Sequence, residues 1–133
     1  MKAKLFWEIA ASLQMLIGIV HFLGTLYSKL LYPKDRKLIE EMKTTFLTID
    51  KKASQWNAWL FFNLAFSICL FMVGFLSFVL AYQDFALVQG ISPFSICISV
   101  CTLITIGFAH KLGIRKVRTA FAVILALYIA SMV

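Results

Sequence analysis

The chain has 133 residues, of which 62% are hydrophobic and only 14% are charged, and its formal net charge is +7. Average soluble domains are far less apolar, so this composition argues against a water-soluble fold, and the length allows only one domain, residues 1–133. Because the basic residues lie beside apolar runs, they favour an anionic membrane surface over nucleic acid as a partner.

Four apolar runs are long enough to cross a bilayer as helices, which takes about 20 residues. They are residues 5–26, 58–82, 93–109 and 117–133. Pro93 stands in the first turn of the third run, where its missing N–H does no harm. The sequence therefore predicts an all-α protein, an integral membrane four-helix bundle with up-down-up-down topology.

The first run contains a stripe of small and polar residues. Gln14, Gly18, His21 and Thr25 are spaced so that they share one helix face. Small residues let membrane helices approach closely, and polar ones bond across them. We expect this face to point into the bundle, with Gln14 and Gly18 as packing residues.

A charged connector, residues 27–55, follows the first run. Within it Ile39, Met42, Phe46 and Ile49 form an apolar stripe with helical spacing. The stripe predicts an amphipathic connector helix between spans 1 and 2, on the membrane surface or capping the bundle. A solvated linker helix is the alternative.

The remaining runs carry comparable faces. The second has Asn63 and Gly74, and the fourth has a ladder of small residues, Ala122, Ala126 and Ala130. We predict that Gly74 and the alanine ladder pack helices together. Trp7, Trp56 and Trp59 stand near span ends, as interfacial anchors do.

Distances from the span ends suggest that several polar residues share one layer in the bundle. His21 lies about 12 Å along the helix from Lys29, and Asn63 lies equally far from Gln55. The predicted ligand-binding layer consists of His21, Thr25, Asn63 and Thr105, with Trp56, Asn57 and His110 at its mouth.

Three interpretations of this layer remain open. His21 can simply donate a hydrogen bond to Asn63 or a threonine, as interhelical glue. Alternatively, an ionisable side chain in a membrane marks a functional site, here a pocket for a quinone or lipid. Haem ligation by His21 and His110 is the third, but the two lie about 12–16 Å apart in depth.

Catalytic and metal-binding patterns are missing from the sequence. No paired carboxylates stand inside a span, and no H-E-x-x-H, G-x-S-x-G or P-loop pattern occurs. Cys97 and Cys101 have i,i+4 spacing, but no matching His or acidic residue is near. We predict no catalytic residue, no metal and no evident cofactor, with quinone or lipid as the candidate ligands.

The distribution of charge predicts an orientation. Residues 27–55 and 110–118 carry seven and four Lys and Arg residues, and the loop 83–92 carries none. By the positive-inside rule both basic segments are cytoplasmic and both termini lie outside. The expected location is the bacterial inner membrane.

The sequence resembles small bacterial four-helix membrane proteins, including the DoxX-like group. The resemblance rests on Gly18-x-x-His21 near the end of span 1, "EMKTTFL" in the connector and "WNAWLFFNLAFSICLFMVG" entering span 2. The DoxX-like group includes quinone-linked oxidoreductase subunits, but many such small proteins have no assigned activity. The resemblance therefore implies the fold more than an activity, and it assigns no catalytic residue.

Two classes of function follow. The first is a non-enzymatic membrane protein, an accessory or structural subunit or a lipid- or quinone-binding protein. The second is a small membrane enzyme or redox subunit that acts on a lipophilic substrate through His21 and Asn63. The expected partners are membrane lipids, other membrane subunits or further copies of the chain through the alanine ladder.

Overall fold

A computed structural model describes residues 2–28 and 31–133. Over these residues the chain is helical, with five α-helices and no strand. The helices are α1 (Lys2–Leu26), α2 (Arg36–Thr44), α3 (Gln55–Gln83), α4 (Pro93–Lys111) and α5 (Arg115–Met132). A short 3₁₀ helix, Phe85–Leu87, stands between α3 and α4.

Three of these helices, α1, α3 and α4, are long and apolar enough to cross a membrane, by length and composition. The prediction of an all-helical fold is confirmed, and three helices have the length and composition that the predicted spans require. The fourth predicted span corresponds to α5, which has 18 residues and carries Arg115, Lys116 and Arg118 in its first turn. Because α5 has only 18 residues, a membrane-length stretch of it includes all three charges, whereas the longer α1 has room for an apolar stretch beyond its charged start.

The connector helix is shorter than the apolar stripe predicts. Asp35 caps α2 by accepting a hydrogen bond from the amide of Lys37, and the helix ends at Thr44. Phe46 and Ile49 therefore lie outside it, which corrects the prediction of one helix through all four apolar residues.

The reason is a tight hairpin between α2 and α3. The amide of Leu47 donates to the carbonyl of Ala53, and the amide of Gln55 donates to the carbonyl of Thr45, both at 2.9 Å. These bonds take the backbone out of the helical path after Thr44. Ile49, at the tip of the hairpin, is 93% exposed.

The described residues form two compact units. The first unit comprises residues 1–15 and 72–133, and the second comprises residues 16–71. The boundaries fall inside α1 and α3, so each of these helices contributes to both units.

The core of the first unit is aromatic and polar. Trp7 is fully buried, and its indole N–H donates to the carbonyl of Ser77 at 3.0 Å. The ring of Trp7 meets that of Tyr128 edge-on, with centroids 4.6 Å apart. This burial corrects the prediction that Trp7 is an interfacial anchor: its N–H finds a backbone partner on α3 instead of water.

In the same unit α4 and α5 pack against each other as a helical hairpin. A capping box of Ser92 and Ser95, with a proline at the first position, begins α4. At the turn, Gly113 has φ +72°, and the amide of Ile114 donates to the carbonyl of Ala109 at 2.8 Å. This is the Schellman ending of a helix, which favours glycine because of the positive φ.

Candidate functional site

The polar residues predicted in spans 1 and 2 meet in the second unit. The imidazole Nε2 of His21 on α1 lies 3.2 Å from the amide Oδ1 of Asn63 on α3. Both side chains are half-buried. The ring of His21 also meets the ring of Phe66 edge-on, at 5.5 Å between centroids.

A second hydrogen bond fixes the direction of the first. The amide nitrogen Nδ2 of Asn63 donates to the carbonyl of Trp59 at 2.8 Å. The amide oxygen therefore faces His21, and since this oxygen only accepts, Nε2 of His21 must donate. The other ring nitrogen, Nδ1, has no partner among the described residues and is left as an acceptor.

The neighbouring hydroxyls are satisfied by their own helices. Thr25 is buried and its Oγ1 donates to the carbonyl of His21 at 2.8 Å. Ser67 is also buried, and its Oγ donates to the carbonyl of Asn63 at 2.7 Å. Neither hydroxyl is thus placed as a nucleophile, because each is held against a backbone carbonyl within its own helix.

Gly18 brings the backbones of α1 and α3 into close contact. A Cβ at Gly18 would lie 2.7 Å from the backbone nitrogen of Phe71 and 2.8 Å from the carbonyl oxygen of Ser67. Real Cβ atoms do not approach backbone atoms so closely, so only glycine fits here. The contact is the close approach that small residues permit between membrane helices.

An apolar groove of about 230 Å³ runs beside this contact. Its lining residues come from both helices: Gly18, Ile19, Phe22, Leu23, Ser67, Ile68 and Phe71. Neither His21 nor Asn63 lines the groove. The groove offers a surface for an acyl or isoprenoid chain, with the histidine pair outside its lining.

Two of the three predicted mouth residues, Trp56 and Asn57, belong to the start of α3. The rings of Trp56 and Trp59 stack with centroids 5.1 Å apart, and Tyr32 meets both edge-on. This aromatic cluster attaches the connector to α3. Asn57 is exposed, and its backbone N–H donates to the hydroxyl of Ser54 at 3.2 Å, which helps to start the helix.

Thr105 and His110 belong to α4 and hence to the first unit. Thr105 donates to the carbonyl of Cys101 at 2.9 Å. His110 is exposed, and its Nδ1 lies 3.0 Å from Nη1 of Arg118. Each of these two residues therefore has a local partner within its own unit.

The predicted packing residues divide into two groups. Gln14, Gly18 and Gly74 are buried, and a Cβ at Gly74 would lie 2.7 Å from the carbonyl oxygen of Ala11. Ala122, Ala126 and Ala130 are exposed instead. The buried face of α5 lies one residue away along the helix and consists of Phe121, Ile124, Tyr128 and Ser131.

Tyr128 is the interior residue that sequence reasoning missed. Its hydroxyl donates to Oε1 of Gln14 at 3.1 Å, which gives the amide of span 1 a partner. The available signal was the helical spacing of Phe121, Ile124 and Tyr128, which competes with the alanine ladder on a neighbouring face. The face that carries the aromatic rings of Phe121 and Tyr128 is the buried one.

Over residues 2–28 and 31–133 no group of three or more His, Cys, Asp or Glu side chains could hold a metal ion. Cys69, Cys97 and Cys101 are free thiols on the outer faces of α3 and α4. The arrangement of His21 and Asn63 can hold two helices together or accept a hydrogen bond from a ligand hydroxyl.

In comparisons with known proteins, no family model, curated protein or solved structure matches the chain. The resemblance to DoxX-like proteins stays a prediction. Geometry and composition are therefore the basis for the function proposed below.

Proposed function

We propose that the chain is a small polytopic membrane protein without catalytic machinery, acting as an accessory or structural subunit of a membrane complex. Four spans, α1, α3, α4 and α5, form an up-down-up-down bundle. The 18 residues of α5 extend about 27 Å, close to the 30 Å hydrocarbon thickness. The cations in its first turn then stand at the membrane surface.

The orientation places the connector and the α4–α5 turn in the cytoplasm of a bacterial cell and both termini outside. The basic residues of these two segments support it. Fusing alkaline phosphatase or a fluorescent protein to the C-terminus tests it: phosphatase activity without fluorescence is expected, and the reverse would overturn the topology.

One observation carries the accessory role. The polar groups that α1 and α3 contribute in the second unit mostly bind one another or a backbone carbonyl. A catalytic set needs a nucleophile or an acid–base group poised towards a substrate. Here His21 and Asn63 instead join two helices, with a net stabilisation of about 1 kcal/mol expected for such a bond in membranes.

The test is gentle extraction of the tagged full chain from its native membrane, followed by native mass spectrometry. Co-migration with larger membrane proteins is expected, unchanged in His21→Gln, which keeps a donor for Asn63. A species near the 15.1 kDa chain mass with no partner would overturn the accessory role.

A second candidate function, binding of a lipid or quinone in the membrane, is favoured by the apolar groove beside Gly18. The groove would hold the hydrocarbon tail. Because His21 donates to Asn63 and retains only an acceptor at Nδ1, a hydroxyl-bearing head such as a quinol suits it better than a quinone carbonyl.

Filling the groove tests this candidate. Ile19→Trp places an indole in the groove, and Val20→Trp makes the same change at an exposed position outside the lining. If a lipophilic molecule co-purifies, Ile19→Trp should remove it and Val20→Trp should not. Equal retention in both variants would exclude the groove as its site.

The remaining alternative is an enzyme or redox subunit that acts through His21 and Asn63. A variant of His21 distinguishes this alternative from the accessory role. His21→Ala would then abolish turnover of the bound molecule by the purified complex. In the accessory role it alters stability alone.

A further inference from the structure

We propose that the α4–α5 turn, residues 110–118, is a binding surface for the headgroups of anionic phospholipids. This inference rests on the proposed membrane topology, in which α4 and α5 are neighbouring spans. The turn would then lie at the level of the lipid phosphates. Its charge, its exposed apolar residues and its local hydrogen bonding each point to this partner.

The charge of the turn is one-sided. Lys111, Arg115, Lys116 and Arg118 stand within eight residues, and Asp84 is the last acidic residue of the whole sequence. The ion pairs of the described residues lie elsewhere, at Lys4–Glu8, Lys37–Glu41 and Lys43–Glu40. These four cations therefore have no carboxylate partner within residues 2–28 and 31–133.

The dipole of α5 also favours the binding of an anion at the turn. Arg115, Lys116 and Arg118 stand in the first turn of α5, at the positive end of the helix dipole, where cations are unfavourable. The preceding residue, Ile114, gives no side-chain cap to the helix amides. A phosphate at the turn would offset both the like charges and the dipole.

Apolar side chains at the turn distinguish a lipid from a free anion. Leu112 is 67% exposed and Ile114 is 46% exposed, and they flank Gly113 between the cations. Exposed apolar residues beside Lys and Arg are typical of membrane-surface segments. In such segments the apolar side chains enter the acyl boundary, and the Lys and Arg side chains contact the phosphates. A phosphate ion in water would gain nothing from Leu112 and Ile114.

The contact between His110 and Arg118 orients one of the cations. Since a guanidinium only donates, Nη1 of Arg118 donates to Nδ1 of His110 at 3.0 Å. The bond joins the last turn of α4 to the first turn of α5 and fixes the guanidinium plane. Arginine can then offer further N–H groups in the fork that matches a phosphate. His110 is thus a positioning residue.

The experiment measures lipid retention by the full chain in detergent micelles containing phosphatidylglycerol or phosphatidylcholine, with native mass spectrometry as the readout. The test variant is Arg115→Gln/Lys116→Gln/Arg118→Gln. The matched control, Lys34→Gln/Lys51→Gln/Lys52→Gln, removes the same three charges from exposed positions of the connector.

Wild type and the control should retain phosphatidylglycerol in preference to phosphatidylcholine. The test variant should bind phosphatidylglycerol roughly a hundredfold more weakly, because each of the three cations near the membrane surface contributes about fivefold to the affinity. Equal loss in both variants would show a general charge effect and overturn the site. Displacement of the lipid by millimolar inorganic phosphate would show a free-anion site and overturn the lipid proposal.

Four further variants test the finer geometry. Leu112→Ser/Ile114→Ser should weaken lipid retention with the charge unchanged, and full retention would contradict the role of the apolar residues. His110→Ala should lower the preference for phosphatidylglycerol while Arg118→Lys lowers it less than Arg118→Gln. If His110→Ala has no effect, its positioning role is wrong.

Flotation of the same proteins with liposomes separates this inference from the proposed function. A chain that resists alkaline extraction from the liposomes but shows no headgroup preference contradicts only the lipid site. A chain that alkali releases from the liposomes contradicts the membrane topology itself, and the lipid site with it.

Discussion

The hydroxyl of Tyr128 donates to Oε1 of Gln14 at 3.1 Å, across 114 positions of sequence, and joins the last helix to the first. Both side chains are buried, and Tyr128 also packs edge-on against Trp7. The first unit thus closes around three side chains that combine apolar bulk with a polar group.

Removing this hydroxyl should destabilise the protein modestly. Tyr128→Phe keeps the aromatic packing but leaves the amide oxygen of Gln14 buried without its donor, which costs about 1–2 kcal/mol. Unfolding in mixed micelles monitored by circular dichroism gives the free energy. The control is Tyr82→Phe, at an exposed ring near the end of α3, which should be neutral.

Gly18 should tolerate no side chain. In Gly18→Ala the new methyl group meets backbone atoms of Phe71 and Ser67 that cannot move without shifting α3. The strain of about 1–3 kcal/mol outweighs the roughly 1 kcal/mol that alanine gains over glycine in a helix.

Gly24→Ala is the matched control in the same helix. Its Cβ would lie 3.7 Å from the nearest atom, the hydroxyl of Ser28, which is ordinary contact. This variant should be neutral or slightly more stable. If both glycine variants have the same unfolding free energy, the close approach of α1 and α3 at Gly18 is contradicted.

The alanine ladder of α5 should matter little to the stability of a single chain. Because Ala126 is exposed, Ala126→Leu should change the unfolding free energy by less than about 0.5 kcal/mol. Ala81→Leu, at a fully buried position of α3, should cost about 1–3 kcal/mol by overpacking. A large loss of unfolding free energy in Ala126→Leu would mean that another helix packs against this face.

The same variant tests the proposal that copies of the chain associate through the ladder. Small residues at exposed helix faces allow close packing between membrane helices. Size-exclusion chromatography with light scattering should then give a smaller assembly for Ala126→Leu than for wild type. An unchanged mass would remove the ladder as the contact between copies.

Local sequence signals predicted the helices well because their causes are local. Pro93 and the residues around it start α4 where expected, and the lengths of the apolar runs give the long helices within a few residues. The polar residues His21 and Asn63 meet as their depth suggested, because both lie a fixed number of helical turns from a span boundary.

Choices that depend on tertiary packing could not be made from the sequence. The buried face of α5 is set by Tyr128 fitting against Trp7, so the neighbouring Ala126 is left outside. Likewise α2 ends early because the chain folds back through the bonds of Leu47 with Ala53. Helical periodicity alone offers both alternatives in each case and does not decide between them.

A double-mutant cycle measures whether His21 and Asn63 bind each other as a structural pair. His21→Leu, Asn63→Leu and the double variant are unfolded in the same micelles, and the coupling free energy is taken from the four unfolding free energies. We expect a favourable coupling of about 0.6–1.7 kcal/mol, from the average to the largest value for hydrogen bonds between membrane helices. A coupling of zero would contradict the pair, because the two side chains would then contribute to the stability independently.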